Sequence, residues 1–147
     1  MARVYVATSV PMIKVLYSVD QAVGPGCPNE RKDVALVQFL LSGVSKPGGS
    51  LPGIQPPGET PLKVDGIFGP KTAAYIKHYQ KAGAGASVVD GKVSPVQHGS
   101  IVGAVHGKSL TIAHLNVGYA KRFGTERHLR IDQEQGFPAD LRGALFI

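Results

Sequence analysis

Between Val64 and Thr72 the chain has few conformational options. Asp65-Gly66 is a turn dipeptide, because glycine takes positive φ without steric cost and aspartate bonds readily to nearby backbone. Gly69-Pro70 follows at once, and proline near a first helical position gives up an N–H that had no helical partner there. Residues 62–82 therefore read as a tight turn feeding a helix, which the small residues Ala82-Gly83-Ala84-Gly85-Ala86 would end. Thr72, Tyr75, Ile76, Tyr79 and Gln80 recur at offsets of three and four, so they share one helical face. Ile67, Phe68 and Ile76 are side chains of the kind that fill a core.

The turn has an echo. Val89-Asp90-Gly91 repeats Val64-Asp65-Gly66, but Ser94 stands where Gly69 would be and Gln97 where Thr72 would be. A third helix directly after the second turn is therefore an open question. Upstream, Val34, Val37 and Leu41 form a helical stripe that Leu36 and Leu40 widen. Asn29 is placed to cap that helix, with Glu30 and Asp33 near its positive end. Residues 43–61, with Lys46-Pro47-Gly48-Gly49 and Gln55-Pro56-Pro57-Gly58, make a loop much longer than the usual connection of about 4–6 residues. Loops of that length are functional, docked or mobile.

The string Val64-Asp65-Gly66-Ile67-Phe68-Gly69-Pro70-Lys71-Thr72 resembles the signature of the peptidoglycan-binding-like domain, a three-helix module of bacterial and phage cell-wall proteins. Tyr79-Gln80 falls where that family has an aromatic residue followed by Gln. Asp33 to Leu41 is similar to its first helix, Asp-Val-x-x-Leu-Gln-x-x-Leu, and Val89 to Pro95 to the approach to its third. The resemblance covers roughly residues 29–102. It implies a peptidoglycan-binding-like three-helix core with the long Gly/Pro loop (29–102); with an N-terminal β-leaning arm or hairpin (1–28) and a basic helical C-terminal extension (103–147) read from the residues outside it, the chain is expected to be mainly α with short β arms. The resemblance also implies a non-catalytic module that binds peptidoglycan or another anionic wall polymer. Gln38, Asp65, Gly66, Phe68, Thr72, Tyr79 and Gln80 are then the candidate ligand-binding residues, as hydrogen-bonding groups and aromatic platforms of the type that glycan sites use.

Outside that stretch the chain offers other elements. Val4–Ala7 and Met12–Tyr17 are β-leaning runs split by Pro11, either a hairpin or an arm that docks elsewhere. The stretch from His98 to Gly107 reads as strand or loop. Ser109 is placed to cap a helix from about Leu110 to Arg122, with Ile112, Leu115, Tyr119 and Phe123 apolar at helical spacing. Residues 108–130 carry Lys108, Lys121, Arg122, Arg127 and Arg130 against Glu126 alone, so most of the net charge of +6 resides there. A short helix near Ala139 to Leu145 leads to an apolar end, Leu145-Phe146-Ile147, suited to docking on a neighbour.

Several chemistries find no support. The single Cys27 excludes an intrachain disulfide, and the histidines show no metal-ligand spacing. No Gly-x-Ser-x-Gly elbow is present, and Asp65 and Asp90 are better turn residues than a glycosidase pair. No enzyme activity, cofactor or metal is expected. No apolar run is long enough to span a membrane, and the N-terminus makes a poor signal peptide. A wall location would then follow from lysis, a delivered particle or another non-classical route, with the protein cytoplasmic before release. Basic charge alone does not make a nucleic-acid reader. The alternative function is a structural subunit using the same fold to self-assemble with sister subunits in a phage-like particle, injection machine or filament.

Overall fold

The computed structural model describes residues 3–6, 13–85, 89–96 and 111–142, and the chain is mainly helical with a short β ribbon. Strands β1 (Arg3–Val6) and β2 (Val15–Ser18) pair antiparallel, from Arg3 opposite Ser18 to Val6 opposite Val15. Of the two options for the β-leaning runs, the ribbon is the one adopted. Helix α1 spans Arg31–Val44, and α2 spans Pro70–His78 and runs on as a π-helical turn, Tyr79–Gly83. Helices α3 (Thr111–Phe123) and α4 (Thr125–Leu129), a 3-10 turn at Ile131–Gln133 and the single turn α5 (Ala139–Arg142) complete the order.

The core forms where the apolar stripes of these elements converge. Val34, Leu36, Val37, Leu40 and Leu41 of α1 meet Tyr75 and Ile76 of α2 and Ile112, Leu115 and Tyr119 of α3, with Leu16 and Tyr17 of β2 closing one side. Helix α3 thus shares one core with α1 and α2, although it falls in the stretch expected to be an extension. Gly43 allows this packing: a Cβ there would stand 2.5 Å from the Tyr119 ring. Asn116 of α3 treats β2 as a neighbouring strand would. Its Oδ1 accepts from Tyr17 N and its Nδ2 donates to Tyr17 O, both at 2.9 Å.

Asn29 is not the cap of α1. Glu30 precedes the helix, and Asn29 takes a positive φ of 52° with its carboxamide bridging Gly24 N and O. Asp33, buried in the first turn, accepts instead from Asp20 N and Gln21 N at 2.9 and 3.0 Å, tying the segment after β2 to the helix. Ile67 also departs from expectation. It is 65% exposed, because the turn directs it outward, whereas Ile76 is buried and Phe68 packs partly against the core.

The long loop is docked on the chain's own helices. Ile54 N donates to Val44 O at 2.9 Å, and Gly48 and Leu51 exchange backbone bonds at 3.0–3.1 Å. A Cβ at Gly48 would approach Arg122 O within 2.6 Å, so the loop backbone lies directly against α3. Gln97, the stretch from His98 to Gly107, Ser109, Leu110 and the apolar end Leu145-Phe146-Ile147 lie outside the described residues.

Candidate functional site

Two buried glutamines govern the two Asp-Gly turns. Gln38 of α1 accepts at Oε1 from Asp65 N (3.0 Å) and Gly66 N (2.8 Å). Its Nε2 shares two N–H groups among Asp65 Oδ1, Ile67 O and Thr72 Oγ1 at 3.0–3.1 Å. Gln80, in the π-helical turn, repeats the pattern. Its Oε1 accepts from Gly91 N at 2.9 Å, and its Nε2 donates among Asp90 Oδ1, Lys92 O and Thr111 Oγ1 at 3.0–3.1 Å. Each aspartate also accepts from the backbone two residues on, Ile67 N at 3.0 Å and Lys92 N at 2.9 Å. The Ile67 N–H holds the Asp65 carboxyl below its ordinary range, with Gln38 assisting. Burial works against Asp90, but the Lys92 N–H and Gln80 outweigh it and its carboxyl is also lowered. Gly66 and Gly91 have φ of 75° and 73°, the region that favours glycine.

Thr111, at the start of α3, takes the post toward Gln80 that Thr72 takes toward Gln38. Thr72 follows Asp65 by 7 residues and Thr111 follows Asp90 by 21. The inserted length hid the repeat from a comparison in fixed register.

Of the seven residues singled out in the sequence, Gln38, Thr72, Tyr79 and Gln80 are buried, and the polar atoms of all four bond internally; Tyr79 Oη donates to His114 O at 2.9 Å. Gly66 is covered by Arg31. These five position the helices. Asp65 and Phe68 keep surface, one exposed and one partly so.

The surface better shaped to receive a ligand is a groove of about 500 Å3 between α1, α3 and the turn at 134–136. Phe39, Tyr119 and Phe123 give it an aromatic wall, with the rings of Tyr119 and Phe123 4.8 Å apart. The Arg127 guanidinium stands 4.8 Å over the Phe123 ring, and its Nε donates to Glu134 Oε1. Burial pushes the Tyr119 phenol up to about 12, so it stays neutral. Ser42, Lys46 and Gln135 place polar groups around the aromatic surface. Phe39 and Tyr119 are buried, so the half-buried Phe123 is the ring that can touch a sugar, while the polar groups can bond hydroxyl and amide groups and Lys46 can attract an anion. The sequence signal for it is the series Tyr119, Phe123, Arg127 at steps of four, which reads as ordinary helix packing until α4 turns Arg127 back over the ring.

Among the described residues no group of three or more His, Cys, Asp or Glu could hold a metal ion, and no helix is long and apolar enough to cross a membrane. Comparison of the chain with models of known families, with characterised proteins and with solved structures finds no match.

Proposed function

We propose that the protein is a non-catalytic peptidoglycan-binding module or adaptor built on a peptidoglycan-binding-like three-helix core. The observation that carries the reading is the pair of Gln–Asp–Gly clamps. They give the signature-like residues at 64–72, together with Gln38 and Gln80, one shared architectural role, which is to set the approach to α2 and to α3. In this reading the wall polymer lies in the groove, with a sugar against the surface that Phe123 keeps and its carboxylates near Lys46. Asp65 and Phe68 are secondary candidates at the exposed turn. Incubation with purified sacculi at low salt tests the reading. The protein should sediment with the sacculi, and protein left in the supernatant would count against wall binding.

The second reading is a self-assembling structural subunit. The observation favouring it is the ribbon: among the described residues β1 pairs only with β2, and an unpaired strand edge is a template for another chain. Light scattering at high concentration separates the two, since a sharp monomer peak would leave self-assembly without support.

A further inference from the structure

On the flank of α3 away from the groove, Arg122 is a buried cation with no counter-charge among the described residues. The residue is only 8% exposed. Nη1 donates to Gly118 O at 2.9 Å and Nη2 to Pro52 O at 2.8 Å, while Nε is buried with no partner. Every Asp and Glu of the chain lies in a described segment, and no carboxylate pairs with Arg122 among the described residues. A buried guanidinium normally gains a carboxylate or phosphate, because neutral carbonyls do not offset its lost hydration.

Arg122 lines a cavity of about 240 Å3 between the docked loop, the π-helical turn and α3. The volume is below the range of about 300–1,000 Å3 that drug-sized ligands occupy, so its occupant is small. Lys121 adds a second cation, exposed to solvent, and Ile54, Val117 and the Tyr79 ring supply apolar wall. Glycines keep the space open and the arginine seated. A Cβ at Gly118 would stand 2.8 Å from Tyr79 Oη and 3.3 Å from Arg122 Nη1. The π-helical turn, a feature frequent at functional sites, brings Tyr79 and Gly83 to the cavity.

We propose that this cavity binds a small carboxylate carrying a short apolar group, with the carboxylate between Arg122 and Lys121 and the apolar group on Ile54 and Val117. The proposal does not depend on wall binding through the groove, and the two can fail separately. The ligand forms no covalent bond; it supplies the negative charge that no described residue brings to Arg122.

The test is a ¹⁵N-resolved NMR titration of the full chain with N-acetyl-alanyl-alanine, its C-terminal amide and sodium sulfate. The free acid should shift the Arg122 Nε–H resonance and the Gly83 and Gly118 amides with a saturable, millimolar Kd, whereas the amide and sulfate should not. Lys121→Gln should weaken the free acid several-fold at unchanged thermal stability, which keeps the test decisive if Arg122→Gln fails to fold. Equal shifts from acid and amide, equal shifts from sulfate, no saturable shift, or an unchanged Kd in Lys121→Gln would each overturn the assignment.

Discussion

Gln80 does for Gly91 what Gln38 does for Gly66: the glutamine oxygen accepts the glycine N–H at 2.9 Å in one turn and 2.8 Å in the other. The three larger helices are thereby linked in series. α1 holds the turn that opens α2, and the end of α2 holds the turn that precedes α3. A carboxamide suits this post because it accepts at one end and donates at the other without bringing charge into the interior.

Replacing Gln38 by Ala should therefore cost about 3 kcal/mol or more, since it strands two backbone donors and removes a donor from three acceptors at a buried site. Gln80→Ala should cost about 2 kcal/mol, with Asp90 and Lys92 more open to water. Urea denaturation followed by circular dichroism checks both, and a loss below about 0.5 kcal/mol for Gln38→Ala would contradict the clamp.

The glycines offer a graded comparison. Gly66→Ala combines positive φ with a Cβ 2.7 Å from Arg31 Cγ and 3.0 Å from Arg31 O. It should cost about 2 kcal/mol or more. Gly58 has a similar φ of 79° but open space around it, so Gly58→Ala should cost only about 1 kcal/mol. Equal losses in the two variants would show that the contact with Arg31 contributes nothing.

Acid should weaken the fold through His128. The ring is buried, its Nε2 donates to Asn116 Oδ1 at 2.9 Å, and Nδ1 has no hydrogen-bond partner among the described residues. Burial lowers its pKa from 6.5 to about 4. The unfolded chain then binds the proton first, so stability falls as pH drops from about 6.5 to about 4 and the loss levels off below. The full effect is about 3 kcal/mol. In His128→Gln, denaturant midpoints should lose this part of the slope while retaining that of the carboxylates; identical pH profiles would sink the assignment.

How far the sequence discloses this arrangement depends on the range of the interaction. Pro70 at the start of α2 and the stripe of α1 are local signals, and the structure follows them. Asn29 satisfies the rule for a helix cap, but the bend at Gly24 offers its side chain both a donor and an acceptor, and that bridge wins. Gln38 and Gln80 attract notice as surface groups because glutamine is usually exposed. Their burial depends on backbone donors 28 and 11 residues away, respectively, which no local pattern encodes. The groove was illegible for the same reason: Lys46 and Phe123 become neighbours only once Gly43 lets α1 and α3 close on each other.

That closure gives a further prediction. Gly43→Ala inserts a methyl into the Tyr119 ring, so α1 and α3 must separate, at a cost of about 2 kcal/mol. Thermal unfolding measures the loss, and an unchanged midpoint would mean that the two helices are not in close contact.

The most direct test of the account is cosedimentation with purified sacculi of the wild-type chain beside Lys46→Glu, an exposed substitution at the groove that should leave thermal stability unchanged. The account predicts that the wild type pellets with the sacculi and that Lys46→Glu binds several-fold less, with the difference shrinking as salt screens the charge. A wild type that stays in the supernatant, or a Lys46→Glu chain that pellets equally well at low salt, would contradict it.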